Sequence, residues 1–241
     1  MYFGLFWGDW TFIVLIPAMI LAFWAQIKVD STFKKYAKVR SRRGLTGAEA
    51  ARRVLDAAGL YNVRVEHIRG HLTDHYDPRE NVIRLSDATY ASTGIAAIGV
   101  AAHEAGHACQ HAQGYVPIKL RAAIIPVTNL GSRLAMPLFL LGLIFAGGSY
   151  VGGSIGETLM LTGILFFSFS TLFQLVTLPT EFNASSRAMK ALEDGGLLAD
   201  DELPAARKTL TAAAMTYVAA LATSLASLLR LILIFNSNRR Q

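Results

Sequence analysis

Four long apolar runs limit this chain more than any other feature. Residues 1–25, 134–146, 159–178 and 210–235 are nearly free of charge, and charged blocks lie between them. Runs of this kind suit helices that cross the ~30 Å hydrocarbon core of a bilayer. The pattern predicts a mainly α, polytopic membrane protein with three to four transmembrane helices. Composition agrees: 53% of the 241 residues are hydrophobic and only 17% are charged. The net charge of +6 reads as a topology signal. No basic stripe interleaved with aromatics points to nucleic acid. Cys109 is the one cysteine, so no intramolecular disulfide and no cysteine metal cluster can form.

The first run holds Trp7 and Trp10, with Trp24 near its other end, as an aromatic belt would place them. It lacks a basic leader and an obvious small-residue cleavage site, so a retained span, kinked at Pro17, is expected. Residues 28–53 then carry nine Lys/Arg against Asp30 and Glu49. The positive-inside rule puts this block in the cytoplasm. Residues 147–157 are Gly-rich, contain no Lys or Arg, and suit an external loop. The expected divisions are a first span over 1–27, a basic linker and catalytic part over 28–125, a transmembrane hairpin over 126–179, a helix and acidic turn over 180–209, and a C-terminal membrane helix over 210–241. Arg230 inside that last helix must snorkel or face protein. The acidic stretch 193–204 reads as a solvated connector.

The part outside the membrane reads as small and α+β. Thr46-Gly47-Ala48-Glu49 is a capping box, and Gly59 ends the helix it opens. Residues 61–68 and 81–86 read as strands, with turn chemistry over 70–81. In zinc peptidases an edge strand beside the metal receives the substrate, and 81–86 is the expected edge. Ser92 is the expected N-cap of the next helix.

That helix carries His103-Glu104-Ala105-Gly106-His107. Helical residues four apart differ by about 40° in direction and about 6 Å along the axis. Both imidazoles can therefore grip one Zn²⁺. Glu104 is placed to take a proton from water that the metal activates. A third protein ligand is needed, with one position left open. His111 continues the i+4 series but lies about 12 Å from His103 along the axis, too far for one metal on a straight helix. His67, His71 and His75 are not held on one face. Glu181 follows two spans and Pro179, so the chain returns it to the face of the zinc helix. Arg187, two turns on, is expected to pair with a carboxylate behind the ligands. His75, Tyr76, His111, Asn183 and Arg187 are the candidates for oxyanion stabilisation or for supporting the ligands.

Four stretches taken together carry a resemblance. They are Leu72-Thr73-Asp74-His75-Tyr76-Asp77-Pro78-Arg79, Ala101-Ala102-His103-Glu104-Ala105-Gly106-His107-Ala108, Gln110-His111-Ala112-Gln113-Gly114-Tyr115, and Glu181-Phe182-Asn183-Ala184-Ser185. The sequence resembles the YugP-type neutral zinc metallopeptidases of bacterial membranes, and more distantly the heat-shock protease HtpX and the CAAX-processing metalloproteases. The resemblance implies a multi-pass zinc protease of bacterial membranes, and the basic block 28–53 with the loop 147–157 puts its zinc site on the cytoplasmic face of the inner membrane. His103, His107 and Glu181 would be ligands and Glu104 the general base. Where the more distant families have an Asp behind the zinc histidines this chain has Ser185, which leaves Asn183 or an upstream Asp as the alternative partner. The expected partners are the bilayer and protein or peptide substrates, with room for a homo-oligomer or an accessory membrane protein. Two other readings stay open: a site-2-type intramembrane protease, and a non-catalytic membrane scaffold that binds metal.

Overall fold

The computed structural model describes residues 10–146 and 150–239. Trp7 and the start of the expected first span lie outside them. In order, a 3-10 turn (Trp10–Leu15) leads into α1 (Ile16–Ala37), then α2 (Gly47–Ala57), β1 (Arg64–His67), β2 (His75–Asp77), β3 (Val82–Leu85), α3 (Ile95–Ala112), α4 (Val116–Ala146), α5 (Tyr150–Asp194) and α6 (Leu203–Asn238). Four helical stretches are long and apolar enough to cross a membrane: Trp10–Ala37, Val116–Ala146, Gly153–Asp194 and Leu203–Asn238. The protein is a mainly α membrane protein with a small three-stranded sheet.

The chain divides into two compact units, one built from residues 1–24, 120–178 and 217–241, the other from 25–119 and 179–216. In the first, α4 and α5 approach until backbones touch. A Cβ on Gly131 would sit 2.8 Å from the Phe166 carbonyl oxygen, and one on Gly163 would sit 2.7 Å from that of Ala135. Small residues are what permit such contacts where lipid supplies no hydrophobic drive between helices. Phe139, Met160, Leu231 and Phe235 fill the core of this unit. Its outer surface is apolar, with Phe23 71% and Ile144 73% exposed. Arg230 faces protein: its Nε donates to Thr11 Oγ1 at 3.3 Å and its guanidinium lies 5.7 Å from the Phe12 ring.

The second unit carries the sheet. Thr46 and Glu49 form the reciprocal capping box, and Gly59, at φ +73°, follows the C-cap. The strand order is β1-β3-β2, with β1 parallel and β2 antiparallel to β3. This overturns the expected edge: β3 is central, and Val82, Ile83 and Leu85 are fully buried. The edge nearest the turn stretch is β2, a strand of three residues whose polar His-Tyr-Asp sequence reads as turn. Leu55, Ile83, Leu85, Ile95, Ile98 and Leu192 form the core between sheet and helices.

Five helix boundaries differ from expectation. Helix α3 is capped by Gly94, not Ser92, because a Cβ there would meet the Ala37 carbonyl oxygen at 2.3 Å. Ser92 Oγ instead accepts the Gly94 N–H. Helices α4 and α6 begin at Val116 and Leu203, well before the apolar runs at 134 and 210, since their first turns lie in the second unit. Of the expected loop 147–157, residues 147–149 lie outside the described residues, and helix resumes at Tyr150. Pro179 does not end α5, which runs 45 residues through it. A proline deletes one helical hydrogen bond, and neighbouring helices can compensate in a membrane protein. The acidic connector is also less solvated than expected. Glu202 is 6% exposed and accepts the backbone N–H groups of Arg42 and Ala199, both at 2.8 Å.

Candidate metal centre

The second unit brings His103 and His107 from α3 against Glu181 from α5. One ligand atom from each lies within 4.8 Å of the others. Glu181 Oε2 is 3.2 Å from His103 Nε2 and 3.4 Å from His107 Nε2. Donors on a tetrahedral zinc at about 2.0–2.1 Å are separated by roughly 3.3 Å, so the spacing fits that ion. Among the described residues this is the one group of three or more His, Cys, Asp or Glu side chains with metal-holding geometry.

Helix packing sets these distances. A Cβ on Gly106 would stand 2.7 Å from the Ala184 carbonyl oxygen, so only glycine lets α3 lie this close to α5. Ala102, Ala105, Ala184 and Ala188 are fully buried in the same interface. Glu181 is 2% exposed and lies in the interior of α5, not at a helix N-terminus, so the helix dipole does not explain it.

Each histidine is held at its other nitrogen. His103 Nδ1 is 3.1 Å from Ser185 Oγ, and His107 Nδ1 is 3.0 Å from Gln110 Oε1. Such partners orient the ring and leave Nε2 for the metal. Sequence reasoning gave Gln110 no role, although its i+3 spacing from His107 is the signal that places them side by side. Ser185 itself takes the place behind His103, and Asn183 sits one bond further back, on Gln110 Nε2 at 2.9 Å. Arg187 does not pair with a carboxylate. It donates to Asn183 Oδ1, one turn back on α5, at 2.7 Å and to Oε1 of Gln113, the C-cap of α3, at 2.6 Å, so both of its acceptors are amide oxygens.

Burial works against a charge on His107, but the hydrogen bond to Glu181 and the charges of Glu104 and Glu181 outweigh it and raise its pKa. Glu104, next to His103, is 8% exposed. The remaining candidates gather around β2 and the end of α3. The Tyr76 hydroxyl donates to Asn81 Oδ1 at 3.1 Å. His75 Nδ1 is 2.9 Å from the Thr73 carbonyl oxygen, and the exposed His111 ring packs edge-on against Tyr76. His67 bonds Asp87 and His71 packs on Phe33, so neither joins the centre. Cys109 is buried and its thiol is pushed up by burial, which makes it a core residue and not a nucleophile.

Comparison with known proteins agrees with this geometry. No solved structure matches the chain. A relative from Bacillus subtilis (strain 168), "Putative membrane protease YugP", is 49% identical over 224 residues, 93% of this chain and 96% of that protein. The profile of the family described as "Putative neutral zinc metallopeptidase" matches residues 11–236. With its four apolar helices and a His/Glu group fit for zinc, the chain belongs to that family of membrane zinc metallopeptidases.

Proposed function

We propose that the protein is a membrane-embedded, zinc-dependent endopeptidase that cuts membrane or juxtamembrane protein segments, with Glu104 as general base. The observation that carries this reading is the state of Glu104. It is nearly buried beside the histidine pair, and no described residue hydrogen-bonds or ion-pairs its carboxylate. A carboxylate in that place with no protein partner is available to take a proton from a water and to return it. The attacking water and the leaving amine are the groups it would serve.

His103, His107 and Glu181 hold the ion and leave a fourth position for substrate. Bound zinc supplies Lewis acidity towards the scissile carbonyl and the attacking water. Glu104 takes the proton of that water and returns it to the leaving nitrogen. A further oxyanion donor is needed. The Tyr76 hydroxyl already spends its hydrogen on Asn81, so His75, His111 and the Arg187 hydrogens not given to Asn183 and Gln113 are the donors to test. The outer edge of β2 has no strand partner among the described residues and suits an extended substrate segment. In this reading the basic block 28–53 holds the site on the cytoplasmic side of the inner membrane.

The test pairs Glu104→Gln with His107→Ala in liposomes. Glu104→Gln should keep zinc and lose about 10²–10⁴-fold in turnover, whereas His107→Ala should lose the metal. Undiminished cleavage by Glu104→Gln refutes the base. Absence of cleavage in every form of the protein favours the metal-binding scaffold. Equal rates on a disordered segment, free or fused to a span, would reject membrane-guided substrate choice.

A further inference from the structure

Behind His107 runs a chain of hydrogen bonds whose direction is fixed at its far end. Arg187 Nε donates to Asn183 Oδ1 at 2.7 Å. A guanidinium has donors only, so Asn183 must turn its oxygen towards it. Gln110 reaches the same Oδ1 at 2.9 Å and the Thr180 carbonyl oxygen at 2.8 Å. Both of those atoms can only accept, so Gln110 must face them with its nitrogen. Its Oε1 is thereby turned to His107 Nδ1, 3.0 Å away. An amide oxygen only accepts, so His107 Nδ1 must carry hydrogen. The lone pair of His107 is left on Nε2, the atom 3.4 Å from Glu181 Oε2. Gln110 is fully buried, so a reversed link would set like against like where water cannot intervene. His103 has no such control, because the Ser185 hydroxyl can turn either way.

We propose that Arg187, Asn183 and Gln110 are positioning residues that lock His107 in its Nδ1–H tautomer, so that a half-exposed cation on α5 dictates which nitrogen of an α3 histidine meets the metal. This rests on the reading of His107 as a zinc-holding residue. It also gives Asn183 and Arg187 a role other than oxyanion stabilisation.

The experiment measures zinc affinity by chelator competition in the full-length protein, with ring ¹⁵N shifts of labelled histidine as a second readout. Asn183→Leu cuts the chain and should weaken zinc binding about 10–100-fold, the usual cost of losing support behind a ligand. Arg187→Leu frees Asn183 to turn over and should weaken it less. The decisive variant is the double Arg187→Leu, Asn183→Asp. Aspartate presents only acceptor atoms when ionised, so it restores the direction without the cation. The double variant should bind zinc more tightly than Arg187→Leu alone and keep the His107 Nδ1–H signature. A purely structural role for Arg187 predicts the opposite, since the new carboxylate would stand unpaired. The relay is overturned if the double variant binds no better than Arg187→Leu, or if Asn183→Leu binds as wild type while His107→Ala loses zinc. Wild-type affinity in His107→Ala would instead overturn the metal site, and the relay with it.

Discussion

Helix α5 meets its neighbours by two different kinds of contact. Against α4, Gly163 and Gly131 bring backbones together, and the polar contacts are sparse, a 3.5 Å bond from Thr128 Oγ1 to the Phe169 carbonyl oxygen and Arg121 over the Phe173 ring. Against α3, Gly106 permits the same closeness, but Ser185, Asn183 and Arg187 add bonds that point at particular atoms. Shape complementarity sets how far apart two helices lie and leaves some freedom to slide. Directed bonds remove that freedom, and a metal site tolerates misplacement of only about 0.5 Å. The difference teaches that close packing is general in this chain, whereas the single polar bonds elsewhere, such as Thr171 to Ser224, become a connected network beside the His/Glu group.

Matched substitutions can break this comparison. Gly106→Ala and Gly163→Ala each place a Cβ 2.7 Å from a carbonyl oxygen on the facing helix. The larger effect is expected for Gly106→Ala. Forcing α3 from α5 should separate Glu181 from both histidines and weaken zinc binding about 10–100-fold, as read by chelator competition. For Gly163→Ala a strain of about 1–3 kcal/mol is expected. It should appear as a lower melting temperature in detergent with zinc stoichiometry unchanged. Equal loss of zinc in both variants would show that the two contacts are not different in kind.

The smallest effect sharpens the comparison at a place far from either helix pair. The Glu49 carboxylate accepts from Thr46 backbone N–H and hydroxyl, and these bonds hold its pKa below the usual glutamate value. A depressed carboxylate adds stability above its unfolded pKa, and that stability is lost as pH falls through the folded value. Glu49→Gln keeps an acceptor oxygen without the titration. Melting curves of the two proteins should converge as pH drops below about 4.5, with zinc removed so that only the cap is read. A constant gap across that range would mean that the cap contributes no charge-dependent stability.

What was legible in the sequence had a period or a fixed spacing. The apolar runs, the Thr46–Glu49 cap and the His103–His107 pair are local patterns, and each forms as its pattern predicts. What was missed depends on chain segments distant in sequence. β2 is too short and too polar to show alternation and exists because β3 pairs with it. Gly94 caps α3 because Ala37 lies against it, a neighbour that no window of sequence around Gly94 contains. Glu202 looked like a solvent-facing charge, but its partners include the Arg42 backbone N–H. Pro179 is a helix breaker by local rule and was outvoted by the apolar run before it and by the packing of the following turns, where Ala184 lies against Gly106.

Ala105 and Gly106 lie between the histidines and are conventionally written as wild cards. In this fold neither is free to vary. Ala105 has no exposed surface, and Gly106 has no room for one more carbon. A search pattern that spelled out small residues there would reject chance matches that the bare five-letter motif admits. The same two positions bear on grafting. A helix transplanted with its histidines and glutamate, but with bulkier residues between them, would bring two ligands to the new host. It would also hold off the third.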